Sequence, residues 1–270
     1  MAVFADRAAG WGSIGVVVAA AVAGYAIWSR VAENVRSDEA SVLRPERVDV
    51  RGIAPWVNSD LKGEALRLAS LDGGLPLDDP ELPRRLGRAF DMHPWVRHVA
   101  RVTLAHPASA VVEIQCREPV AMVGVKGGLL AIDGEGVVLP SVDFSGESAA
   151  RYPRIKGVET SPQGPEGSAW GDPVVEEAAA LAMAIGPEWN DLDLVECRPR
   201  MAGGRRVWEL VRGQGGLILF GSAPGREAGD EPLAAVKVAR LRDLRDTPDN
   251  GQTVDLTEPD DEPTVPSLSG

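Results

Sequence analysis

Apolar and polar positions alternate most clearly between His93 and Ala121, in the run HPWVRHVARVTLAHPASAVVEIQCREPVA. It reads as a short turn, a strand, a proline break at Pro107-Ala108-Ser109 and a second strand. Val102 and Leu104 on the first strand, and Val112, Ile114 and Cys116 on the second, share one face of a period-two pattern. Two strands do not bury such a face alone, so a cover is required. The chain upstream supplies one. Val48 and Val50 alternate in a strand over 47–53, closed by Gly52 and Pro55. Asn58 or Ser59 caps a helix with apolar positions Leu61, Ala65 and Leu68, ended by Asp72-Gly73-Gly74. Asp79-Pro80 opens a second helix whose buried stripe is Leu82, Leu86 and Phe90. The order strand, helix, helix, strand, strand predicts two helices on one face of a three-stranded sheet over 47–121. Trp95 reads as a core or rim aromatic at the end of the second helix. Arg117-Glu118 reads as a solvated pair, and Pro119 as the residue that ends ladder pairing.

From Met122 the pattern becomes short strands separated by glycine turns. A hairpin is predicted from Leu129–Ile132 through Asp133-Gly134-Glu135-Gly136 to Val137–Pro140. A short strand follows over 152–158, then a Gly/Pro/Ser-rich loop over 159–173 and an alanine-rich helix over 174–185. Strands over 192–198, 206–212 and 217–220 precede a helix over 233–246 with an inner stripe of Ala234, Val238 and Leu241. A last strand spans Gln252 to Thr257. The fold class is α+β, with a mostly antiparallel second domain (122–257) carrying added helices.

Trp11 to Trp28 is one uncharged apolar stretch, near the ~20 residues that cross a bilayer. Trp11 at one end and Tyr25 with Trp28 at the other suit interfacial positions. The stretch exceeds a signal-peptide core, and Arg7 is offset by Asp6, so a retained transmembrane helix over 11–30 is expected. Cleavage near Ala21-Val22-Ala23 or Gly24-Tyr25-Ala26 is the alternative. The flanking Arg7, Arg30 and Arg36 do not decide orientation. Residues 31–46 form a charged spacer.

The net charge of −12 and the absence of any Lys/Arg run argue against a nucleic-acid binder. Part of that acidity lies in 258–270, an acidic, proline-containing segment expected to be disordered. Two cysteines, Cys116 and Cys197, leave open whether they pair. The three histidines, His93, His98 and His106, lack ligand spacing, and no HExxH, CxxC, Gly-x-Ser-x-Gly or Walker-type motif occurs. No cofactor is implied, and the chain is not expected to be an enzyme.

Three motifs carry a resemblance: Pro94-Trp95-Val96 after the second helix, His106-Pro107 between the strands, and Arg117-Glu118-Pro119-Val120-Ala121 at the exit. With Asp133-Gly134-Glu135-Gly136-Val137-Val138, Trp208-Glu209-Leu210 and Leu219-Phe220-Gly221, the chain resembles the FtsQ/DivIB family of bacterial cell-division proteins over about residues 10–257. Arg117-Glu118 departs from the family's commoner Glu-Arg order. The resemblance implies a cytoplasmic tail (1–10), one membrane helix, a POTRA domain (47–121) and an FtsQ-type β domain outside the cytoplasmic membrane. It further implies a non-enzymatic scaffold of the divisome, linking early and late division proteins and helping control septal peptidoglycan synthesis. Its partners would be FtsB- and FtsL-like single-pass coiled-coil proteins, bound by strand addition to the last strand. Carried onto this chain, the binding edge is Gln252, Thr253, Val254, Asp255, Leu256 and Thr257, flanked by Lys237, Arg240, Arg242 and Arg245. That basic helix either suits an acidic partner segment or is a solvated face. Val254→Pro is expected to abolish partner binding without unfolding. A secretion or outer-membrane assembly protein with a POTRA domain, or a secreted enzyme, are the rival classes.

Overall fold

The computed structural model describes residues 21–29, 40–186, 188–246 and 251–259. Among these, no helix is long and apolar enough to cross a membrane. That corrects the expected membrane helix over 11–30: its described part, α1 (21–29), is under half the ~20 residues a crossing needs, and 11–20 and 30 lie outside the described residues. The tail 1–10, most of the spacer 31–46, and the acidic segment from 260 onward also lie outside them.

Two compact units divide the chain. The smaller takes residues up to Gly52, then Lys62–Asp91 and His98–Ile114. Its elements are β1 (Val42–Leu43), β2 (Val48–Arg51), α2 (Leu61–Leu68), β3 (Leu75–Pro76), α3 (Leu82–Asp91), β4 (Val96–Ala105) and β5 (Ser109–Cys116). The sheet order is β2-β5-β4, with β2 parallel to β5, while β1 and β3 form a separate small ladder. Ala110, Val112 and Ile114 on β5 and Leu82, Leu86, Ala89 and Phe90 on α3 are buried, as period two and period 3.6 require. On α2 the buried residues are Leu61, Ala65 and Leu66, and Leu68 is 79% exposed, so the expected i+7 position falls outside the buried arc. Gly52 ends β2 at φ +92°, where a Cβ would strike the Ile114 carbonyl oxygen.

The larger unit takes Ile53–Leu61, Met92–Arg97 and everything from Gln115. It adds β6 (Pro119–Val125), β7 (Gly128–Asp133), α4 (Gly146–Ala149), β8 (Arg154–Ile155), α5 (Pro173–Ile185), α6 (Glu188–Asp191), β9 (Leu194–Ala202), β10 (Arg205–Arg212), β11 (Leu217–Gly221), α7 (Ala234–Asp243) and β12 (Thr253–Asp255). Seven strands form one sheet in the order β12-β11-β10-β9-β8-β6-β7. The sheet is mixed, which corrects the expected mostly antiparallel domain. The pairs β6/β7, β9/β10 and β10/β11 are antiparallel; β6/β8, β8/β9 and β11/β12 are parallel. Tight turns yield only the former, whereas each parallel pair is joined by a long connection, as parallel pairing demands. Pro119 does not end pairing: it opens β6 opposite Asp133. One apolar core joins Ala121, Val123 and Ile155 of the sheet to Ala178, Ala182 and Ile185 of α5, and reaches Ile218, Phe220, Val238 and Leu256 at the far end.

Candidate functional site

The candidate site is the β12 end of the seven-stranded sheet. β11, α7 and β12 form a parallel βαβ unit, with Leu217, Ile218 and Leu219 opposite Thr253, Val254 and Asp255. Leu217 N–H donates to the Gln252 carbonyl at 3.3 Å, and Leu256 N–H donates to the Leu219 carbonyl at 3.0 Å. In a parallel ladder this register turns both backbone groups of Val254 toward β11. Alternation then turns the N–H and C=O of Thr253 and Asp255 outward, away from the sheet. The Asp255 carboxylate accepts from the Thr257 N–H at 2.8 Å and its hydroxyl at 2.6 Å, an Asx turn that ends the strand. Gln252, Thr253 and Asp255 are exposed, Val254 and Thr257 half-buried, and Leu256 buried. The Val254→Pro expectation is therefore corrected: that N–H belongs to the ladder within the chain, and proline there would detach β12 itself.

The basic residues on α7 and in the turn just after it do not form a free face. Lys237 is fully buried; its Nζ donates to Glu231 Oε1 at 2.8 Å and the Ser222 carbonyl at 3.0 Å, and lies 4.4 Å from the Phe220 ring centroid. Burial would raise the Glu231 pKa, but hydrogen bonds from Lys237 and Ser222 outweigh it and hold the carboxyl below its usual range. Arg240 Nη1 donates to the carbonyls of Leu256 at 3.1 Å and Glu258 at 2.6 Å. Arg242 Nε donates to Glu188 Oε1 at 2.8 Å; Arg245 pairs with Glu188 and, at 2.8 Å, with Asp191. Those hydrogen bonds, from Arg242 first, lower the Glu188 pKa. Spacing along the helix showed four basic residues. It gave no sign that their acidic and carbonyl partners, up to 57 residues away, already engage them.

The signature residues scatter by role. Pro107 is exposed at the β4–β5 turn, Glu118 is exposed, and Val120 is half-buried. Pro94 is half-buried, whereas Trp95, Val96, Pro119 and Ala121 are buried. Arg117 is not a solvated partner of Glu118: its Nη1 pairs with Asp133 at 2.7 Å and Glu135 at 3.3 Å. Asp133 also accepts from the N–H groups of Glu135 and Val137, each at 2.9 Å, fixing the turn after β7. Trp95 Nε1 donates to the buried carboxylate of Asp143, which also accepts from the N–H of Asn58 at 2.8 Å and the N–H and hydroxyl of Ser59 at 2.6 and 2.9 Å. Sequence reading missed Asp143, because its donors lie 48 to 85 residues away and nothing local marks it.

Cys116 and Cys197 are both free thiols. Among the described residues, no group of three His, Cys, Asp or Glu is placed to hold a metal ion. No protein-family model and no curated protein matches the chain.

Proposed function

We propose that this chain is a non-enzymatic divisome scaffold of the FtsQ/DivIB type. It acts outside the cytoplasm at the division septum, where it links early and late division proteins and helps control septal peptidoglycan synthesis. FtsB- and FtsL-like coiled-coil partners add a strand to the edge formed by Gln252–Thr257. The observation that supports this reading is the outward N–H and C=O of Thr253 and Asp255 on a terminal strand. Such a row of backbone groups is a template for another chain. The sequence motifs support the family reading, and the edge supports the binding mode.

The test uses the tagged full chain, co-expressed with the organism's FtsB- and FtsL-like pair. Thr253→Pro removes an outward N–H at a position where an edge strand tolerates proline. Capture of the pair is expected to fail while the thermal unfolding midpoint stays put. Normal capture by that variant, or uniform distribution of the fluorescently tagged chain in dividing cells, defeats the proposal.

A further inference from the structure

We propose that Arg240 is a positioning residue that holds the docking edge in place from behind, rather than a contact for an acidic partner. Its importance for partner capture rests on the strand-addition reading above. β12 is three residues long and, among the described residues, is joined to the sheet on one side only. So short a strand has few ladder bonds of its own, and its end must be held by something else.

Two residues of α7 do this. Lys237 fixes the helix to the end of β11, through the Ser222 carbonyl and the carboxylate of Glu231. That carboxylate also accepts from the Ser222 N–H at 2.7 Å. The backbone here is close-packed: at Gly221 (φ +84°) a Cβ would strike Glu231 Oε1 and crowd Thr257 Cγ2. Arg240 stands three residues beyond Lys237, on the same side of the helix. It reaches the chain just beyond β12, donating to the carbonyls of Leu256 and Glu258. Hydrogen bonds from a guanidinium to neutral carbonyls are charge-assisted and stronger than ladder bonds. Leu256 is thereby held at both ends of its backbone: its N–H donates to Leu219 and its C=O accepts from Arg240. Its side chain is buried in the core. The chain leaves the sheet at Thr257, so the length of edge offered to a partner is set by Arg240 together with the Asp255 turn.

Hydrogen exchange of the full chain without partner, comparing the parent with Arg240→Gln, tests the positioning itself. The Leu256 amide is expected to lose its protection while the Leu210 amide in central β10 keeps it. Capture of the FtsB- and FtsL-like pair should weaken about tenfold or more, since affinity scales with the fraction of chains whose edge is formed. Arg240→Lys, which still donates to carbonyls, should recover part of both. Lost capture with Leu256 protection intact would place Arg240 against the partner and overturn the inference, as would no change in either measurement. If Arg240→Gln exposes the Leu210 amide as well, Arg240→Lys against the parent is judged by the same criterion. A parent chain that captures nothing while its Leu256 amide still responds to Arg240→Gln would remove the strand-addition reading and leave the positioning role standing.

Discussion

The indole N–H of Trp95 donates to the carboxylate of Asp143, 48 residues away, and both side chains are buried. The same carboxylate collects the backbone N–H groups of Asn58 and Ser59 and the Ser59 hydroxyl. One acid thus satisfies four donors from two distant segments of the larger unit. Removing it strands the buried indole N–H, at about 1–3 kcal/mol, and takes away the part-buried bonds from Asn58 and Ser59, at about 1 kcal/mol each. Asp143→Ala is therefore expected to lower unfolding free energy by roughly 3 kcal/mol or more. Trp95→Phe, which leaves the acid its other donors, should lose about 1–2 kcal/mol from the missing bond. Urea unfolding measures both, and equal losses would contradict a carboxylate-centred cluster.

Partner capture should depend weakly on salt. Lys237 is buried, and Arg240, Arg242 and Arg245 are engaged within the chain, so under the strand-addition proposal recognition at the edge would run through neutral backbone groups. Raising NaCl from about 0.1 to about 0.5 M should change affinity by less than about threefold, because screening acts on exposed charge pairs. A steep loss would restore the acidic-partner alternative for α7.

The link between α6 and α7 should weaken in acid. Hydrogen bonds from Arg242 and Arg245 depress the Glu188 pKa below its ordinary 4.5. A carboxyl lowered in the folded state contributes stability above its unfolded pKa and loses it as pH falls through the folded value. Glu188→Gln should therefore be less stable than the parent near neutrality, and the gap should close between about pH 5 and about pH 3. A gap that is constant across that window would show that the charge of Glu188 is not what counts.

The two thiols should react at different rates. Burial, with the Glu196 charge adding to it, pushes Cys197 up to about 12. Burial also raises Cys116, but this residue is half-exposed. Since the thiolate is the nucleophile, iodoacetamide near pH 8 should modify Cys116 first and Cys197 only when the larger unit opens. Mass spectrometry of a labelling time course follows both; equal rates would contradict the buried position of Cys197.

The local elements follow from the residue pattern along the chain. Period-two alternation marked β2 and β5, the 3.6 period marked α3, alanine content marked α5, and glycine turns marked the hairpins, because these patterns depend only on near neighbours along the chain. The last strand was legible on the same grounds, although its ordered ladder is shorter than Gln252–Thr257. Tertiary structure decided what local pattern does not encode. It set the parallel neighbours of β8 and β12, the burial of Lys237, and the engagement of Arg117 with Asp133 and Glu135 across the start of β6. It also decided which face of the last strand is open, since that depends on its register against β11. Asp143, Glu188 and Glu231 look in sequence like any other acids. They become anchors only when folding brings donors from distant segments against them and removes the water that would otherwise satisfy both sides.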